Sequence, residues 1–451
     1  MPIHNNRLKA EEYAANFEDI HPPFETRDAA LVEANRCLFC YDAPCTKSCP
    51  THIDVPKFIK QIATDNLKGS AQTIFSANIM GGGCSRVCPV EKLCEGACVY
   101  NLMEEEAIPI ARLQRYATDK AFHERWPLFQ RKPSMGRRVA IVGAGPAGLS
   151  CAHVLSREGI DVTIYEKEQR GGGLMTYGIA AYKVTPSFCQ EEVDYILSLG
   201  GIRIEYEREL GRNISLGDLR EEYDAVFLAY GLGQARRLGI PGEDLQGVID
   251  ALRFIYEIRA NGYPAVSVGD RVAVIGMGMT AIDAATQARR LGASAVTLVY
   301  RRTEAEMPCT KAELELARLD GCQVLWLAAP KEVLASEGRV VALVCELMTP
   351  GEPGPDGRRF PVATGETYTL NVDMVIAAAG QTAFEALAAD AGLAHERGRI
   401  RADASGRTEM EGVFSGGDCV NGGKEVVDAV QAGKLAAVSV MEYVHQLKVK
   451  S

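Results

Sequence analysis

Residues 137–150 read RRVAIVGAGPAGLS, and this stretch decides the fold. A basic pair is followed by a run of β-branched and small apolar residues, the mark of a strand buried on both faces. The run breaks at glycine and resumes as a helix whose first turn carries GAGPAG (143–148). Gly143 permits the turn out of the strand, Gly145 lets a pyrophosphate approach the helix N-terminus, and Gly148 allows the helix to pack closely on the strand. Glu166 closes the next apolar run, VTIYE, where a carboxylate accepts from a ribose hydroxyl. The pattern predicts a dinucleotide-binding unit of the parallel α/β kind.

Further along the chain the pattern recurs. DRVAVIGMGMTAID starts at 270, with GMGMTA (276–281) as a second fingerprint in which alanine replaces the third glycine. The segment 408–437 reads as a return to the first sheet, so the second nucleotide unit is expected to be inserted into the first. The expected class is α/β: a mostly helical domain over 1–130, an FAD domain over 137–265 and 380–451, and a nicotinamide domain over 266–379. GVFSGGDC (412–419) supports a flavin in the first unit, because it sets Asp418 after a buried strand, in reach of the ribityl or pyrophosphate portion. Candidate cofactor contacts are Gly143, Gly145, Pro146, Ala147, Gly148, Glu166, Lys167, Gly173, Leu174, Gly417, Asp418, Glu425 and Val426, with Gly276, Gly278, Met279, Thr280, Arg301, Arg302 and Gly380. The strand AVTLVYRR ends in Arg301 and Arg302 where an NAD reader would be acidic, which favours a 2′-phosphate and hence NADPH. Two arginines at a strand end are often solvated surface charges, so NADH stays open.

Eight of the 14 cysteines fall between Cys37 and Cys98. Cys37, Cys40, Cys45 and Cys49-Pro50 have ferredoxin spacing, in which three thiolates hold one cluster and the fourth reaches to another. Cys84, Cys88, Cys94 and Cys98 supply distant ligands, and together the set could fill two 4Fe–4S sites. Paired CxxC knuckles would favour zinc, but only Cys37 and Cys40 have that spacing. The remaining cysteines are scattered, and no CxxxxC pair marks a disulfide reductase. Hydride transfer between nicotinamide and flavin needs stacking more than an acid or base, so no side chain is nominated as catalytic. The net charge of −10 argues against nucleic acid or anionic membrane as partner, and the absence of an apolar leader or spanning run predicts a cytoplasmic protein.

The order CLFCYDAPCTKSCPTHIDVPKFI, CSRVCPVEKLCEGAC, LQRYATD, VAIVGAGPAGLS, GGGLMTYGI and VAVIGMGMTAID resembles the FAD/iron–sulfur half of dihydropyrimidine dehydrogenase, from about Arg36 to Ala437. It is similar in particular to the separate bacterial subunit, and also to the glutamate synthase small subunit. The resemblance implies that Cys37, Cys40, Cys45 and Cys98 hold one cluster while Cys49, Cys88, Cys94 and Gln114 hold the other, leaving Cys84 unligated. Glutamate synthase small subunits tend to carry glutamate at the position of Gln114. The implied function is oxidation of NAD(P)H at FAD, with electrons passing through the clusters to a partner subunit whose FMN barrel reduces uracil or thymine. A glutamate synthase-like reductase and a general electron-transfer module are the alternatives.

Overall fold

The structure, a computed structural model, describes residues 3–447 apart from residue 356. By internal contacts the chain forms two units. One holds Ile20–Thr176, Lys183–Gln234 and the chain from Thr382; the other holds the chain up to Asp19, Tyr177–Tyr182 and Ala235–Gln381.

In the first of these units a parallel five-stranded sheet runs in the order Val413–Ser415, Ala225–Leu228, Arg138–Val142, Asp161–Tyr165, Ile202–Glu205. The last strand in sequence pairs with Ala225–Leu228, so the chain does return to this sheet after the inserted segment. Strands such as Ala225–Leu228 are buried along their whole length, which is why they read as unbroken apolar runs. The helix Val426–Gln446 packs against Pro146–Arg157 across Gly433, where an added Cβ would stand 2.1 Å from the Ala147 carbonyl oxygen.

Ahead of this sheet, short helices frame the cysteine loops. Thr26, Asp54 and Asn66 cap the helices Arg27–Arg36, Val55–Ala63 and Leu67–Ala77 by accepting from Ala29, Lys57 and Gly69 N–H groups. With Ile110–His123 they bury Phe58, Ile59, Ile74, Phe75 and Leu113. This small core fixes the loops between them.

A second parallel sheet organises the other unit, in the order Val248–Asp250, Met374–Ala377, Arg271–Ile275, Ala295–Tyr300, Gln323–Trp326. An antiparallel three-stranded sheet follows, made of Ala328–Ser336, Arg339–Pro353 and Arg359–Asn371. Several placements differ from the sequence reading, which put Tyr177–Tyr182 and residues 235–265 in the FAD domain; both belong to this second unit. Val248–Asp250 lies within 137–265 yet pairs with Met374–Ala377 in the nicotinamide-type sheet; three residues are too few to carry a period. Residues before Asp19 group with this second unit and not with the helices after them. His4 exchanges backbone hydrogen bonds with Val268, and Phe17 stacks on Tyr263 with ring centroids 4.0 Å apart.

Candidate redox cofactor sites

At the first fingerprint, Gly143 adopts φ +102°, and a Cβ there would meet the Ala229 carbonyl oxygen at 2.5 Å. Gly148 faces the Gly143 carbonyl oxygen, 2.0 Å from where its own Cβ would be. Gly145 is different in kind. Its Cβ position is open except for Gly173 Cα at 3.9 Å, so two glycine backbones border a space at the start of helix Pro146–Arg157. Gly417 (φ +79°) closes on Ala147 from the other side and delivers Asp418, whose carboxylate accepts from Lys424 N–H at 3.2 Å. Burial pushes the Asp418 carboxyl up, in opposition to that hydrogen bond. Glu425 then opens the helix Val426–Gln446 in a reciprocal cap with Asp428. A cradle between glycines, with a helix N-terminus beside it, fits the pyrophosphate of a dinucleotide.

Glu166 is buried, and its two oxygens accept from the Ala144 and Glu168 N–H groups at 2.7 and 2.9 Å. Each oxygen keeps a second lone pair for a ribose hydroxyl. Lys167 pairs with Glu168 and lies 5.8 Å from the Phe384 ring centroid, and Leu174 is partly exposed. Two residues absent from the sequence reading also belong to this unit. Tyr230, just past the strand Ala225–Leu228, has a buried hydroxyl with no hydrogen-bond partner, as does the Gln431 Oε1 in the second turn of Val426–Gln446. Unpartnered buried polar atoms are costly and mark positions that a bound group would satisfy. The only sequence signal was the aromatic in LAYGLG (228–233).

The second fingerprint repeats the geometry. Gly276 (φ +131°) approaches the Ala378 carbonyl oxygen, Gly278 has open space at its Cβ position, and Met279 and Thr280 begin the helix Met279–Arg290. Ala281 is fully buried without strain, which is why alanine serves there. Gly380 (φ +95°) is likewise open. Arg301 and Arg302 separate: Arg301 is exposed, whereas Arg302 Nε donates to the Arg359 carbonyl at 2.9 Å. The acids beyond them are engaged, Glu304 by Arg318 and Glu306 by the Thr303 N–H and hydroxyl. The segment Tyr177–Tyr182 is bound to the helix Met279–Arg290: Ala180 and Ala181 N–H groups donate to Asp283 and Gln287, and the Tyr182 hydroxyl meets Thr286 Oγ1 at 2.6 Å.

Among the cysteines, Cys37, Cys40, Cys45 and Cys98 line one pocket, walled by Pro44, Val55, Ile59, Tyr100, Ile108 and Ile110. Burial pushes the Cys37 thiol up and the Cys45 thiol to about 11. Binding iron as thiolate therefore expels protons that the apolar wall otherwise retains. Cys49, Cys88 and Cys94 form a second group within electrostatic reach of one another, where burial raises Cys94 and a hydrogen bond to Cys84 raises Cys88. Cys84 accepts from Asn78 Nδ2 at 3.2 Å. Gln114 is buried and donates Nε2 to the Gly81 carbonyl at 2.6 Å, which orients the amide and leaves Oε1 as the electron-pair end of the side chain. Among the described residues no three His, Cys, Asp or Glu side chains gather around a single-ion position. One zinc ion would draw its thiolates within about 4 Å of each other; the thiolates that cap the iron corners of a cube point outward and stand farther apart. The soft thiolate sets fit iron–sulfur cubes.

The second cysteine group is linked to the flavin-type fold. Lys434, on Val426–Gln446, donates to the Ala77 carbonyl at 2.5 Å and lies within electrostatic reach of Cys49.

Residues 137–433 match the pyridine nucleotide-disulphide oxidoreductase family. Residues 13–126 match the 4Fe-4S cluster domain described as dihydropyrimidine dehydrogenase domain II. The chain is 35% identical to the glutamate synthase [NADPH] small chain of Escherichia coli over 446 residues, covering 95% of this chain and 94% of that one. It is 34% identical over 432 residues to the NAD-dependent dihydropyrimidine dehydrogenase subunit PreT of Salmonella typhimurium, covering 96% and 98%. Mycobacterium tuberculosis FprA in complex with NADPH shares the fold, with TM-score 0.59 and 21% identity over 70% of this chain and 85% of that one.

Proposed function

Given that the chain belongs to the pyridine nucleotide-disulphide oxidoreductase family and carries a 4Fe–4S domain ahead of it, we propose that this NAD(P)H-dependent flavin oxidoreductase is the electron-input subunit of a heteromeric dihydropyrimidine dehydrogenase. In this reading it oxidises NAD(P)H in the cytoplasm and delivers the electrons to an FMN/iron–sulfur barrel subunit, which reduces uracil or thymine to the 5,6-dihydropyrimidine. The observation that carries the reading is Gln114, a buried amide whose nitrogen is already committed to the Gly81 carbonyl, which supports its oxygen as a cluster ligand. FAD, when bound, supplies the hydride acceptor and the conversion from two-electron to one-electron transfer.

The rest of the electron-input role falls to this chain's residues. Gly145 and Gly173 leave room for the pyrophosphate, Glu166 accepts from the ribose, and Arg301 pairs with a 2′-phosphate while Arg302 braces the strand end against Arg359. Cys37, Cys40, Cys45 and Cys98 would hold one cluster, and Cys49, Cys88, Cys94 and Gln114 the other. Lys434 spans from the flavin-side helix to the Cys49 group, which supports the second cluster as the first to receive electrons. Co-expression with an FMN barrel subunit should give uracil-dependent oxidation of NADPH; oxidation indifferent to pyrimidine would sink the proposal.

A second reading is favoured by the near-equal identity to the glutamate synthase small chain over 94% of its length. Turnover dependent on glutamine and 2-oxoglutarate with a glutaminase-bearing subunit, and none with the barrel, would select it.

A further inference from the structure

We propose that an exposed apolar patch at the mouth of the first cysteine pocket, with its acidic flank, is the docking face for a redox protein whose own acceptor lies under an apolar surface flanked by lysine and arginine. This rests on reading the chain as an electron-input subunit. Four large apolar side chains stand in solvent here: Leu38 is 51% exposed, Tyr41 106%, Leu102 87% and Met103 56%. They come from two segments, a loop carrying Cys37 and Cys40 and the 3-10 helix Val99–Met103 that follows Cys98. The segments are tied side by side, since the Tyr100 hydroxyl donates to the Arg36 carbonyl at 2.7 Å and the Arg36 guanidinium donates to the Glu106 carbonyl at 2.6 Å. Leu38 also lines the pocket of Cys37, Cys40, Cys45 and Cys98, as does Tyr100 from the second segment, so the patch borders that group.

Packing does not account for side chains this exposed, and clustered apolar exposure on a soluble protein marks an interaction site. Charge selects the occupant. Glu104, Glu105 and Glu106 follow Met103 directly and are exposed; Arg36 is paired with Glu33 and Lys47 with Asp42, and Lys60 stands over the Phe39 ring, 4.6 Å from its centroid. An apolar patch flanked by three consecutive carboxylates that have no ion pair among the described residues attracts a partner with a basic flank and repels an acidic one.

The test uses the purified chain with its flavin and clusters and two acceptors, the FMN barrel subunit with uracil and cytochrome c, a basic redox protein. The variants are Glu104→Lys/Glu105→Lys/Glu106→Lys and Tyr41→Ser/Leu102→Ser/Met103→Ser. Iron content, visible absorption and NADPH-driven ferricyanide reduction should match the unaltered chain in both. The charge variant should raise KM for each acceptor about tenfold at low ionic strength and flatten the salt dependence, with kcat little changed. The serine variant should slow transfer at every salt concentration. Unchanged KM for the barrel subunit overturns the docking face while leaving the pyrimidine reading intact. Where the barrel gives no uracil-dependent turnover, that reading fails by itself and cytochrome c decides: a raised KM supports the docking face, an unchanged one overturns it. No reduction of either acceptor by the unaltered chain overturns both.

Discussion

Glu192 has no solvent exposure, takes the Gly83 N–H at 2.8 Å on one oxygen and leaves the other without a partner. Burial raises its carboxyl from 4.5 to about 7, against the N–H groups of Gly83 and Gly82 and the charge of Arg86, with Asp119 adding to the rise. A raised carboxyl pKa stabilises the fold fully below pH 4.5, and that contribution disappears as pH climbs through about 7. At about 1.4 kcal/mol per pH unit the loss is roughly 3 kcal/mol. Glu192→Gln should therefore gain stability relative to the wild type between pH 5 and pH 8, read by denaturant unfolding at each pH; a constant difference would remove Glu192 as the source. At the second cysteine group, Cys84→Ser should keep about eight irons per chain, and Gln114→Ala should fall toward four, by iron analysis. Loss of a cluster in the serine variant would make Cys84 the eighth ligand. For the nicotinamide, Arg301→Ala should raise KM for NADPH about tenfold or more and spare NADH, the loss of a charge-assisted bond. Arg302→Ala should do much less, because its guanidinium faces the Arg359 carbonyl.

Two helices set the geometry of the flavin-type site, Pro146–Arg157 and Val426–Gln446, and their close approach depends on one absent side chain. With the Ala147 carbonyl 2.1 Å from the Gly433 Cβ position, Gly433→Ala must push the helices apart. We expect a cost of about 1–3 kcal/mol and loss of flavin on gel filtration, followed by absorbance at 450 nm. Retained flavin and unchanged stability would show that the pair has slack. The first helix was legible in the sequence, from GAGPAG, whereas 408–437 read only as a return to the first sheet. The contact between the two helices was not legible, because nothing local to Gly433 says which backbone it faces. The antiparallel sheet was also missed. Its strand Arg359–Asn371 is exposed along most of its length, so the alternation that marks a half-buried strand is absent.

At the scale of the whole molecule the division into two units predicts separable responses to ligands. NADP+ should raise the calorimetric transition of the unit containing Ala235–Gln381, and added FAD or iron chelation should shift the other, each by mass action on the state that binds. At a hundredfold excess over Kd the gain is about 2.7 kcal/mol. One transition that responds to every ligand would mean that the units unfold together. Among the described residues no helix is long and apolar enough to cross a membrane. The sequence by itself determined the two fingerprints, the order of the sheets and the cysteine spacing, because glycine turns, buried strands and short ligand loops are local and constrain residue type directly. Only the tertiary structure decided which unit receives residues 3–19, Tyr177–Tyr182 and Val248–Asp250, that Arg301 and Arg302 part company, that Tyr230 and Gln431 are left wanting partners, and that Cys84 hydrogen-bonds with Cys88 while Gln114 turns its nitrogen to Gly81. Most of these turn on contacts between residues far apart in the chain, and such contacts leave no periodic trace in it.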